Sequence, residues 1–83
     1  MTRPEILERL QKILRQVVGN DELIINNKTT ADEVTGWDSF NHINLIMGVE
    51  MEFAIRFNVA ELENLKNVGD FVALIEKHLT KKK

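Results

Sequence analysis

The sequence predicts an all-α fold of four helical segments, with a long loop after the first and a short third segment. Three observations carry that prediction. Apolar residues recur at three- and four-residue spacings in three separate stretches. Helix-capping residues stand where those stretches begin. No stretch alternates far enough to pair as a strand, since Leu23–Ile25 and Ala54–Phe57 are both too short. A chain of 83 residues makes one domain, 1–83, with no room for a second.

The first segment opens at Thr2. Thr2 and Glu5 have the spacing of a capping box, and Pro4 is tolerated in a first turn. The stripe Ile6, Leu7, Leu10, Ile13, Leu14, Val17 and Val18 follows, and Gly19-Asn20 ends it. Residues 19–37 hold no sustained period and are rich in loop formers: Asn20, Asn26, Asn27, Thr29, Thr30 and Gly36. Leu23, Ile24 and Ile25 are expected to pin this loop to the core. A loop of this length inside a compact domain tends to serve function. The second helix is expected from Asp38-Ser39 to about Phe53, with Asp38 as N-cap. The third spans roughly Ala60 to Asn64. The fourth starts with Asn67 as cap and Asp70 three residues on, and buries Val68, Phe71, Val72, Ile75 and Leu79. Lys77, His78 and Lys81–Lys83 then fall near its C-terminal end, where positive charge suits the dipole. Residues 81–83 read as a frayed basic tail.

Composition narrows the function. With 43% apolar and 29% charged residues the chain suits a globular protein, and no run approaches the roughly 18 apolar residues that span a bilayer. No membrane insertion is expected. MTRPEILERL lacks the apolar block of a secretory signal, so a cytoplasmic setting is the simplest expectation. There is no cysteine, hence no disulfide and no thiolate metal site. Charge is unevenly spread. Residues 19–65 carry nine acids against Lys28 and Arg56, whereas both flanks are net basic. An acidic middle disfavours nucleic acid as a partner. It suits a basic partner protein or plain solvation, and charge alone leaves both open.

The stretch most able to carry chemistry is Thr35-Gly36-Trp37-Asp38-Ser39-Phe40-Asn41-His42. Ser39 lies where the long loop meets the first turn of a helix. First-turn N–H groups lack intrahelical partners, so a phosphate ester on the Ser39 hydroxyl would be favourably placed. Plain capping accounts for most serines at such positions. Helix 2 adds a second clue. Leu45, Ile46, Val49 and Phe53 supply the stripe that faces the core, leaving Phe40, Ile43 and Met47 as a surplus row. That row starts directly after Ser39. It either docks a partner, with Glu50 beside it, or packs under the long loop; part of Phe40 is assigned to the loop and Met47 to docking.

At these residues a resemblance becomes specific. Gly36-Trp37-Asp38-Ser39-Phe40 resembles the G-x-D-S-[LF] attachment motif of acyl carrier proteins. Ile43 to Phe57 is similar to that family's second helix and following loop, and Leu65 to Phe71 to the lead-in of its last helix. The resemblance covers nearly the whole chain. It implies a four-helix bundle, and a 4′-phosphopantetheine arm moved from coenzyme A onto Ser39 by a phosphopantetheinyl transferase that uses magnesium. Gly36, Trp37, Asp38 and Phe40 are then motif support. Acyl groups would ride on the arm's thiol as thioesters, presented to acyl-loading, condensing or acyl-transfer enzymes by a monomeric carrier that is not itself an enzyme. Leu45, Val49, Phe53, Leu62 and Ile75 become candidates to line an acyl cavity.

The chain also departs from bulk fatty-acid carriers, whose second helix is studded with acids. Here that face offers Asn41, His42, Asn44 and Gly48, with acids only at Glu50 and Glu52 beyond Asp38. Trp37 and Phe40 look more like carriers of dedicated lipid, polyketide or peptide-type pathways. The alternatives are a housekeeping fatty-acid carrier and an unmodified helical module that binds through Phe40, Ile43 and Met47. A hydrolase based on Ser39 and His42 lacks a partner to orient the histidine, although Asp32 and Asp38 are close in sequence. His42 is expected to face solvent beside the arm and His78 to be solvated. Two lone histidines do not make a metal site.

Overall fold

Helix formation follows the capping chemistry closely. A computed structural model describes residues 1–81, with the Lys81 side chain and Lys82–Lys83 of the expected tail outside the described part. Helix α1 spans Arg3–Val18. Thr2 Oγ1 accepts from the Glu5 amide at 3.3 Å, and Glu5 Oε1 accepts from the Thr2 amide at 3.1 Å. These bonds satisfy two donors that helix geometry would otherwise leave free. Gly19 ends α1 in the left-handed region, with φ of 72°, and its N–H reaches the Arg15 carbonyl.

The loop that follows is stitched to two helices. Arg15 Nε donates to the Leu23 carbonyl at 2.6 Å, and the Ile25 amide donates to Gln11 Oε1 at 2.8 Å. Leu23 is half-buried and Ile25 buried, but Ile24 is exposed. The expectation that all three pin the loop is corrected: an extended segment points successive side chains to opposite sides. A single 3₁₀ turn at Ala31–Glu33, capped by Thr30, lies before the site.

Helix α2 spans Ser39–Phe53, with the expected bounds. Helix α3 spans Val59–Leu62, starting and ending earlier than Ala60–Asn64. The reason is a capping box that sequence reading passed over. Asn58 Oδ1 accepts from the Glu61 amide at 2.8 Å, and Glu61 Oε1 accepts from the Asn58 amide at 3.1 Å. Helix α4 spans Val68–Lys81. Asn67 Oδ1 accepts from the Asp70 amide at 2.8 Å, and the Asp70 carboxylate accepts from the Lys66 amide at 3.0 Å. The first two amides of α4 donate back to the long loop, Val68 to the Thr29 carbonyl and Gly69 to the Asn27 carbonyl, both at 2.8 Å.

Helix α1 packs against both α2 and α4. The core draws Ile6, Leu10 and Leu14 from α1, Leu45, Val49 and Phe53 from α2, and Val68, Phe71, Val72 and Ile75 from α4. Gly48 brings α2 close to α1, since a Cβ there would lie 2.9 Å from Ile13 Cγ2. No helix among the described residues is long and apolar enough to cross a membrane. The architecture is four helices with no strand among the described residues, as expected.

Candidate attachment and docking site

Ser39 is the first residue of α2 and is exposed. Two neighbours hold it there. Gly36 sits at φ of 92°, in the region that disfavours side chains, and turns the loop toward the helix. Asp38 caps the helix, its carboxylate accepting from the Asn41 amide at 2.9 Å. Asn41 returns the tie by donating from Nδ2 to the Gly36 carbonyl at 2.7 Å. Loop end and helix start therefore form one braced corner. No hydrogen bond among the described residues engages the Ser39 hydroxyl. The corner fits a phosphodiester: the hydroxyl is accessible, and the first-turn amides and helix dipole favour negative charge beside it.

Phe40, Ile43 and Met47 are 73%, 59% and 55% exposed. The loop does not cover Phe40, so its partial assignment to the loop is corrected. The row continues through Met51, 83% exposed one turn beyond Met47, which sequence reading missed. Its spacing from Met47 was the available signal. Glu50 does not stand ready beside the row. It is half-buried, and its carboxylate accepts from the Phe57 amide at 2.9 Å, fixing the loop after α2. Glu52 pairs with Arg9 at 3.1 Å. The docking face therefore presents apolar surface whose nearest acids are engaged elsewhere.

His42 is corrected from a solvent-facing residue to a half-buried one. Trp37 Nε1 donates to His42 Nδ1 at 3.1 Å, and the rings stack at a centroid distance of 6.1 Å. His42 also meets Phe71 edge-on at 6.4 Å. Burial lowers the His42 pKa below the usual histidine value. Indole only donates, so the neutral imidazole carries its proton on Nε2. Neither nitrogen then keeps a free lone pair to take a proton from Ser39. His78 is corrected likewise. It is half-buried, its Nε2 lies 3.0 Å from both Glu61 carboxylate oxygens, and its ring meets Phe57 edge-on at 5.2 Å. Phe57 in turn meets Phe71 at 5.9 Å. Five rings thus run from Trp37 beside Ser39 to His78 on α4.

The residues expected to line an acyl cavity are placed in two ways. Leu45, Val49, Phe53 and Ile75 are buried in the packed core, whereas Leu62 is half-buried on α3. A cleft of about 40 Å³ lies under Trp37 and His42, lined also by Ala31, Leu65, Lys66, Asn67 and Phe71. An open groove of about 330 Å³ runs between α3 and α4 past Leu65, Ala73 and Leu74. None of the five expected residues lines either volume.

Comparison with known proteins agrees with this geometry. Residues 8–75 match the family model described as a phosphopantetheine attachment site. The chain is 33% identical over 78 residues to an acyl carrier protein of Thermotoga maritima, covering 94% of this chain and 96% of that one. It superposes on the solution structure of the holo acyl carrier protein of Geobacter metallireducens with a TM-score of 0.86. That match has 40% identity over 93% of this chain and 88% of the other. The crystal structure of a Thermotoga maritima acyl carrier protein gives a TM-score of 0.84 at 27% identity, covering 98% of this chain and 94% of that one. The match spans the loop, the braced serine corner and the helices around them, so the chain belongs to the acyl carrier protein family, whose cofactor is a covalently attached 4′-phosphopantetheine.

Proposed function

We propose that Ser39 is the attachment point of the arm and that the chain carries acyl groups for partner enzymes of a dedicated lipid, polyketide or peptide-type pathway. The observation that supports this most is the Ser39 corner: an accessible hydroxyl on a braced helix start, directly beside an uncovered apolar row. In loading, Ser39 Oγ attacks the coenzyme A phosphorus nearest the pantetheine. The bond from that phosphorus to the nucleotide breaks, adenosine 3′,5′-bisphosphate leaves, and the serine proton passes to a base on the transferase. Asp38 and Gly36 keep Ser39 outward, and the first-turn amides favour the resulting negative charge. The arm supplies a thiol that holds acyl groups as thioesters, which a chain without cysteine does not provide itself.

The dedicated-pathway reading rests on Trp37, on Phe40 and on the scarcity of free acids along α2. Phe40, Ile43, Met47 and Met51 are the docking surface in this reading, with Glu50 as a brace of the loop behind it. Binding there gains from apolar burial more than from steering by charge. Incubation with coenzyme A and a broad-range phosphopantetheinyl transferase, followed by intact mass, tests the assignment. One phosphopantetheine increment is expected on the natural chain and none on Ser39→Ala. An increment that persists in Ser39→Ala would place the arm elsewhere, and no increment with several transferases would favour an unmodified interaction module.

A further inference from the structure

The route from Ser39 into the core passes the pair formed by Trp37 and His42. Trp37 lies two residues before Ser39 and His42 three after it, and the two are joined by the 3.1 Å hydrogen bond and the ring stack. Beneath them is the 40 Å³ cleft, with Phe71 at its inner wall and Leu65 and Asn67 on the opposite side. This space is far below the roughly 300–1,000 Å³ of a pocket that takes up a small organic ligand. Phe71, Leu45, Val49 and Ile75 behind it are buried to 1% exposure or less. Opening the cleft inward would break the indole hydrogen bond and separate His42 from Phe71.

We propose that Trp37 and His42 form a stopper that keeps the carried acyl chain outside the bundle. This rests on the reading of Ser39 as the attachment point. Its consequence concerns the cargo: the thioester stays exposed to water, so acyl groups that are short or polar suit this carrier better than long alkyl chains, whose apolar surface would remain wet. Trp37 and His42 are specificity-determining residues in this sense and touch no reacting atom.

The test begins with octanoyl-coenzyme A as donor, giving a chain loaded with an eight-carbon probe and verified by intact mass. Absence of loading on Ser39 would overturn the carrier reading and this proposal together. With loading established, three measurements concern the stopper alone. Hydroxylamine attacks the thioester carbonyl, the C–S bond breaks, and octanoyl hydroxamate and the free arm thiol result. The expected rate is within about twofold of octanoyl-pantetheine in solution. Trp37 is the chain's only tryptophan, and its emission should not change between the unacylated and octanoyl forms. The melting temperature should be equally indifferent to the acyl group. Attack slowed tenfold or more, with a shift in Trp37 emission or a raised melting temperature, would overturn the proposal. Trp37→Ala and His42→Ala remove the stopper from either side, and circular dichroism shows which of them fold. A folded variant in which octanoyl becomes protected supports the assignment. Folded variants that leave the thioester as exposed as before would show that the packed core alone excludes the chain.

Discussion

Trp37 offers an indole N–H that can only donate, so its partner 3.1 Å away, His42 Nδ1, must be unprotonated for the bond to exist. Burial acts in the same direction, lowering the His42 pKa from its ordinary value near 6.5. The sign of the linkage follows. Above about pH 6.5 the histidine is neutral in both folded and unfolded chains and adds no pH dependence. As pH falls below that value the unfolded chain binds a proton that the folded chain resists, and stability is lost. The natural chain should therefore lose melting temperature between about pH 7 and 5. His42→Gln keeps an acceptor for the indole and has no proton to gain, so it should lose less over the same range. Glu5 and Glu61, whose pKa values are lowered by hydrogen bonds to Thr2 and Asn58, contribute stability above their unfolded values. That stability is lost only at lower pH, and the variant shares it. Parallel curves for the two proteins would show that His42 stays solvated and is not held by Trp37.

Helix α2 has two jobs on two faces, and substitutions separate them. Leu45 is fully buried, whereas Met47 is exposed. Met47→Glu should leave helicity and melting temperature nearly unchanged while lowering kcat/KM for loading by about tenfold or more, as expected for a central apolar contact. Leu45→Ala should instead cost about 2–5 kcal/mol of stability. Thermal melts paired with loading kinetics distinguish the two, and a large melting loss in Met47→Glu would place that side chain in the core. The two faces were legible because a surface helix needs only one apolar stripe. Helix starts at Thr2, Asp38 and Asn67 were legible because caps are local in sequence. The start of α3 was equally local, in Asn58-Val59-Ala60-Glu61, and was overlooked because only one helical turn follows it. The aromatic path was not legible. Trp37, His42, Phe57, Phe71 and His78 come from separate elements, and no periodicity links them. The role of Glu50 was hidden for a similar reason: an acid on a helix looks the same whether it faces a partner or bonds the Phe57 amide seven residues away.

At the scale of the whole molecule, the loop that delivers Ser39 depends on the last helix. Residues 19–38 have no helix of their own beyond one 3₁₀ turn, and much of their order comes from bonds to α1 and α4. The α4 contribution is tight. Val68 and Gly69 donate to loop carbonyls at 2.8 Å, satisfying first-turn amides that the helix itself leaves free. A Cβ on Gly69 would stand 2.8 Å from the Asn27 carbonyl oxygen and 3.2 Å from Asn27 Cβ, so the loop would have to move away. Two effects therefore compete in Gly69→Ala. Alanine gains up to about 1 kcal/mol of helix propensity. Loosening two partly buried hydrogen bonds costs about 1–3 kcal/mol for each donor left unsatisfied. The loss should win, giving a net cost of about 1–3 kcal/mol, with about 4–8 °C of melting temperature for each kcal/mol in a domain of this size. Hydrogen exchange should show the Val68 and Gly69 amides losing protection, while amides in the middle of α1, such as Leu10, slow or speed only with global stability. A variant as stable as the natural chain, with both amides still protected, would show that the loop can yield without giving up its hold on α4. In that case the position of Ser39 would be set by the Gly36–Asn41 corner alone.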